Sequence, residues 1–80
     1  MFTVYVLYSE KFDKHYTGYS GDFNARLLSH NVFGNKDWAV RYRPWKVIYS
    51  EEFESKLVAI KKEKWLKSGV GRAFIKTLPH

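Results

Sequence analysis

The stretch Phe2-Thr3-Val4-Tyr5-Val6-Leu7-Tyr8 is β-branched or aromatic at nearly every position, which suits a pleated, packed strand and little else. A second such stretch, His15-Tyr16-Thr17-Gly18-Tyr19, follows after the polar segment Glu10-Lys11-Phe12-Asp13. Together they predict an antiparallel hairpin. Pairing Ser9 with Lys14 across a four-residue loop sets Leu7 opposite Tyr16 and Tyr5 opposite Gly18. The two tyrosines are then diagonal neighbours on one face, and a slip of one residue would part them.

The rest of the chain fits around this hairpin. Asp22 is placed to cap a short helix from Phe23 to about His30, with Phe23, Leu27 and His30 or Asn31 sharing a face and Asn31 and Gly34 closing it. Residues 32–45 read as irregular. Pro44 then forces an extended entry into Trp45-Lys46-Val47-Ile48-Tyr49, a third strand with Trp45 as buried packing. Ser55 can cap a helix from Lys56 to Lys67 that Ser68-Gly69 stops, and Gly71 to Leu78 offers a short last helix. The order β-β-α-β-α with a short C-terminal helix predicts an α+β fold, a three-stranded sheet with helices packed on it. At 80 residues there is room for one domain, 1–80, near the lower size limit for unaided folding.

Composition narrows the function classes. Six Phe, six Tyr and three Trp supply a core and argue against disorder. The chain has no cysteine, which excludes disulfides, thiol nucleophiles and thiolate metal sites, and His15, His30 and His80 are too scattered for a zinc site. No apolar run approaches the roughly 20 residues of a membrane span, and the amino terminus lacks a signal-peptide pattern. The expectation is a soluble cytoplasmic protein without membrane contact. Lys11, Lys14 and Arg26 balance Glu10, Asp13 and Asp22, so the whole excess of +6 lies after residue 35. Such an excess fits a polyanion binder and a solvated surface equally well.

Polar residues on faces that should be apolar carry the functional signal. Ala59, Ile60 and Leu66 mark the inward face of the long helix, and Glu63 falls among them. Glu63 is either a carboxylate aimed at the core side or an edge residue whose stem lies on the core while its head reaches water. Arg26 and His30 flank the buried stripe of the first helix. They either converge on the sheet or serve as a rim arginine and a helix-terminal histidine. Gly18 inside a strand costs stability and marks close approach of another group.

In order and spacing these residues resemble the GIY-YIG nuclease family. Thr3-Val4-Tyr5 stands for the first signature and Tyr16-Thr17-Gly18 for the second. Arg26 comes eight residues later, followed by Leu27, His30 and Asn31. Arg43-Pro44-Trp45, Val47-Ile48-Tyr49, Ala59 with Glu63, Leu66-Lys67-Ser68-Gly69 and Gly71-Arg72 complete the match. Thr3, Val4 and Thr17 replace the glycine and isoleucines of the signatures, and no asparagine follows Gly69, where larger members carry one.

The resemblance implies a metal-dependent phosphodiesterase. Tyr5 and Tyr16 would line the site, one of them acting on the attacking water, while Arg26 would hold the scissile phosphate. His30 would assist proton transfer and Glu63 would bind one divalent cation, Mg²⁺ or Mn²⁺. The substrate class is DNA, with RNA a second possibility, and repair or recombination is the implied setting. Because separate DNA-choosing domains serve the larger members, a module alone is weakly specific, structure-selective, or guided by a protein partner. A nucleic-acid-binding module of the same fold with little chemistry is the alternative.

Between Lys36 and Lys46 the mixture of Lys36, Arg41, Arg43 and Lys46 with Trp38, Tyr42 and Trp45 suits a phosphate backbone with unpaired bases. Nucleic-acid contact is therefore assigned to Arg41 and Arg43, and secondarily to Lys61, Lys62, Lys64 and Lys67 on the exposed side of the long helix.

Overall fold

The computed structural model describes residues 1–28 and 44–79. Strands β1 (Phe2–Ser9) and β2 (Lys14–Ser20) form the hairpin, followed by α1 (Phe23–Leu28), β3 (Lys46–Phe53), α2 (Lys56–Lys67) and α3 (Gly69–Lys76). The three strands make one antiparallel sheet in the order β2-β1-β3, so the α+β architecture is as the sequence implies.

The hairpin register pairs Ser9 with Lys14, Leu7 with Tyr16 and Tyr5 with Gly18. Asp13 closes the loop in the left-handed region, with φ 52°, a conformation aspartate tolerates better than most residues. Its carboxylate accepts a hydrogen bond from Tyr8 Oη at 3.0 Å, and that bond raises the Tyr8 phenol above its ordinary pKa.

As the central strand, β1 is buried on both faces. Val4 and Val6 pack with Ala59, Leu66 and Ile75 under α2 and α3, while Tyr5 and Leu7 pack with Trp45, Tyr16 and Phe23 on the opposite face. Full burial of side chains such as Val4, Val6 and Leu7 stabilises by roughly 1.5–3 kcal/mol each. Trp45 is buried, as its position after Pro44 implies, with its ring edge-on to Tyr16 at 6.2 Å.

Two elements depart from expectation. The third strand begins one residue later and continues four residues past Tyr49, through Ser50, Glu51, Glu52 and Phe53. Glutamates are weak strand formers. Here pairing along β1 as far as Phe2 opposite Phe53 prevails, and Glu51 and Glu52 stay exposed on an edge strand where charge is tolerated. The register shifts between Val6 and Leu7, so that Ile48 is an extra residue on β3 and both Ile48 and Tyr49 turn to the helix-covered core.

The last helix starts at Gly69, two residues before the expected Gly71. Ser68 does not merely end α2. Its backbone N–H donates to the Trp65 carbonyl at 3.1 Å, and its Oγ accepts from the Gly71 N–H at 3.3 Å, capping α3. At the other end of α2, Ser55 Oγ accepts from the Val58 N–H at 3.4 Å. For α1, Asp22 Oδ1 accepts from the Ala25 N–H at 3.2 Å, which anchors the helix start directly after β2.

Candidate active site

β2 is an edge strand, and Gly18 sits on it directly opposite Tyr5 of the central strand. Without a side chain at residue 18 the Tyr5 phenol can lie across β2. A Cβ there would stand 2.9 Å from Tyr5 Oη and 3.1 Å from Tyr16 Cε1. The two rings are near-parallel with centroids 6.4 Å apart, and Phe23 of α1 backs Tyr5 at 5.0 Å. Tyr5 is almost wholly buried, and Tyr16 is half-buried.

These two hydroxyl-bearing rings open onto a cleft of about 350 Å³ lined by Tyr5, Tyr16, Gly18, Tyr19, Ser20 and Glu63. Tyr19 belongs to the helix-covered face of the sheet, whereas Tyr5 and Tyr16 belong to the other. The cleft therefore lies at the open edge of the sheet. Glu63 reaches this edge because α2 packs on β2 as well as on β1, and its side chain is only 17% exposed. One turn along, Lys67, whose side chain is 55% exposed, brings its Nζ to 3.7 Å from Glu63 Oε2. An ion pair this exposed contributes little to stability, so Glu63 is available to a stronger cation.

The remaining sequence-derived residues fall into three groups. Arg26 lies on α1, three residues after the Phe23 that packs on Tyr5. His30, Arg41 and Arg43 lie outside the described residues. Of the four α2 lysines assigned to nucleic acid, Lys61, Lys64 and Lys67 recur at i, i+3 and i+6 and are exposed, whereas Lys62 turns away from them. Lys61 and Lys64 are exposed away from the cleft, while Lys67 joins Glu63. Lys62 is taken up elsewhere, 3.7 Å from Glu51 Oε1 and over the Trp65 ring at 4.6 Å, with Tyr49 and Phe74 beside it. In the same cluster Tyr49 Oη donates to Glu51. Burial first, and that bond second, push the Tyr49 phenol up to about 12.

Sequence reasoning missed Tyr19 and Ser20 as cleft residues, since nothing in a strand pattern says which residues flank a glycine gap. Sequence reasoning assigned Lys67 to nucleic-acid contact and did not pair it with Glu63, although the two stand at i, i+4. The geometry makes Gly18 a control point. Gly18→Ala should displace both phenols and cost any reaction at this cleft on the order of 10²-fold, as misplacement of reacting groups by an ångström does, while circular dichroism shows a folded chain.

Comparison with known proteins gives the chain's family. The profile of the GIY-YIG catalytic domain matches residues 1–74. The chain belongs to the GIY-YIG family. That family is of nuclease type. Among curated relatives, a UPF0213 protein of Staphylococcus epidermidis is 36% identical over 53 residues, covering 66% of this chain and 65% of that one. A UPF0213 protein of Staphylococcus aureus is 38% identical over the same length and coverage. The match thus spans just under two thirds of these relatives' own length. A UPF0213 protein of Bacillus halodurans, solved by solution NMR, superposes with a TM-score of 0.57 at 24% identity, over 96% of this chain and 84% of that one. This likeness shows that the sheet and helices described above share that protein's fold. No helix among the described residues is long and apolar enough to cross a membrane.

Proposed function

We propose that this GIY-YIG chain is a divalent-cation-dependent endonuclease that hydrolyses phosphodiester bonds in DNA, weakly specific or selective for structure, in repair or recombination. The observation that supports this most is the meeting of Tyr5, Tyr16 and Glu63 in one open cleft across Gly18. A cleft on a sheet edge suits a phosphate that protrudes from a polymer, whereas a small free substrate would be better held in an enclosed pocket.

The donor set fits one hard cation. Among the described residues no three of His, Asp and Glu cluster as a protein cage. Mg²⁺ needs none, since it commonly takes one or two carboxylates and fills its shell with water and substrate phosphate oxygens. Glu63, a half-buried carboxylate on a rigid helix, is the residue that would hold it, with Mn²⁺ as an alternative ion. When bound, the cation supplies Lewis-acid stabilisation of the charge that builds on the phosphate.

The chain's own residues account for the remainder. Arg26 holds the scissile phosphate, for which a planar guanidinium offers two parallel charge-assisted hydrogen bonds. Tyr5, packed between Phe23 and Tyr16, fixes the attacking water against one side of the phosphorus. A phenol of reference pKa about 10 is a poor base at neutral pH, so orientation is its main contribution until neighbouring positive charge lowers it. His30 assists proton transfer to the departing oxygen. One P–O bond forms from water as another breaks, and the water's proton ends on the leaving group.

Arg41 and Arg43 contact the flanking backbone, and specificity beyond structure comes from a protein partner. The test is cleavage of end-labelled branched, nicked and single-stranded DNA in Mg²⁺ or Mn²⁺ and in EDTA. Cation-dependent cutting supports the reading. A folded protein that binds these DNAs and cuts none favours a binding module of the same fold.

A further inference from the structure

Beyond the cleft, a second and larger depression of about 580 Å³ runs between the start of β2 and the helix pair α2–α3. Its volume lies inside the roughly 300–1,000 Å³ range of built ligand sites. The lining is largely apolar, with buried Leu66 and Ile75 at its base and Tyr16 and Thr17 of β2 along one wall. The rim is basic, carrying Lys67, Arg72 and Lys76 with His15 across from them, and among the described residues no carboxylate lines it. Arg72 and Lys76 recur at i, i+4 on α3, so both guanidinium and ammonium project along one side of the groove. Among the described residues neither enters an ion pair. Tyr16 lines both depressions, and Lys67, on the rim of the second, contacts Glu63 in the first. The two are therefore continuous.

We infer that this groove seats the nucleic-acid strand on one side of the scissile phosphate, in single-stranded form, its phosphates on Lys67, Arg72 and Lys76 and a base on the apolar floor beside Tyr16. The inference rests on the phosphodiesterase reading, which supplies the phosphate at the neighbouring cleft. A basic rim over an apolar and aromatic floor is the combination that holds single strands without sequence preference. A duplex buries its bases and leaves such a floor unused, so selectivity for frayed, flapped or nicked DNA follows from the same geometry. Charge complementarity and continuity with the cleft both point to this occupant.

Fluorescence anisotropy with a labelled oligothymidylate, in EDTA and over a series of salt concentrations, tests it. Arg72→Ala/Lys76→Ala should weaken binding and lower the slope of log K against log salt by about 1.4, at roughly 0.7 for each phosphate no longer neutralised on a single strand. Lys11→Ala/Lys56→Ala removes the same charge outside the groove, at two exposed lysines given no binding role, and should keep the wild-type slope. The charge-preserving Arg72→Lys/Lys76→Arg variant should also keep it, which separates removal of the cations from a disturbed α3. A wild-type slope in Arg72→Ala/Lys76→Ala overturns the groove while leaving the nuclease reading intact. So does an equal weakening in both alanine pairs, since net charge would then be the only determinant. Wild-type protein that binds no oligonucleotide even at low salt overturns the nuclease reading itself.

Discussion

Glu63→Gln should abolish DNA cleavage, with a loss on the order of 10³-fold or more, and should leave the protein folded with its melting temperature nearly unchanged. Glutamine keeps the shape of the side chain and its packing on α2 but loses the charge that holds a hard cation, so the Lewis acid is removed without emptying any part of the core. Among the described residues the substitution removes only the ion pair with Lys67, whose side chain is 55% exposed, and pairs of that kind contribute at most about 1 kcal/mol. Initial rates on a labelled substrate, alongside thermal unfolding, read both consequences. Cleavage by Glu63→Gln at the wild-type rate would remove Glu63 from the reaction, and a collapsed melting temperature would assign it a structural role instead.

Gly71→Ala should be the most damaging single-methyl change in the chain. A Cβ on residue 71 would overlap the Trp65 carbonyl oxygen and Leu66 Cα and stand 2.6 Å from the Leu66 carbonyl carbon, all backbone atoms of α2 that cannot rotate out of the way. Relief requires α3 to move off α2, which uncovers Leu66 and Ile75 and breaks the cap that Ser68 Oγ makes to the Gly71 N–H. Overpacking of this kind costs about 3 kcal/mol or more, a large fraction of what so small a core supplies. On a domain of this size that corresponds to a melting temperature lower by on the order of 10–20 °C. Gly69→Ala is the matched control. Nothing lies within 4 Å of a Cβ at residue 69, so alanine there should be neutral or stabilising by up to about 1 kcal/mol. Equal melting temperatures for the two variants would contradict the close approach of α2 and α3.

How far the fold was legible depended on where local chemistry and tertiary contact agreed. The hairpin register followed from a four-residue loop and alternating side chains, and it alone put Tyr5 and Tyr16 side by side across Gly18. Ser55 and the run to Lys67 gave α2 its full extent because capping and helix propensity coincided there. Ser50 to Phe53 were not legible as strand, since Glu51 and Glu52 disfavour it and only pairing with β1 holds them extended. The dual use of Ser68 was hidden for a similar reason. A serine followed by glycine reads as a stop, and that it also starts α3 depends on the chain turning back over Leu66.

For the site, spacing aimed Glu63 inward but could not say that it would surface at the sheet edge. That outcome depends on β2 being an edge strand and on residue 18 lacking a side chain. The lysines of α2 illustrate the reverse error. Their closeness in sequence suggested one basic face, which Lys61, Lys64 and Lys67 keep, whereas helical geometry assigns Lys62 to an aromatic cluster.

The most direct measurement of whether the β2-edge cleft is the cation site is a Mn²⁺ titration followed by NMR of the isotope-labelled wild-type chain, because paramagnetic broadening reports distance from the ion without requiring turnover. Broadening should appear first at Gly18, Tyr19, Ser20 and Glu63 and at the Tyr5 and Tyr16 rings, and should vanish there in Glu63→Gln. Broadening centred on Glu51 and Glu52 of β3, or unchanged by Glu63→Gln, would contradict a cation held at this cleft.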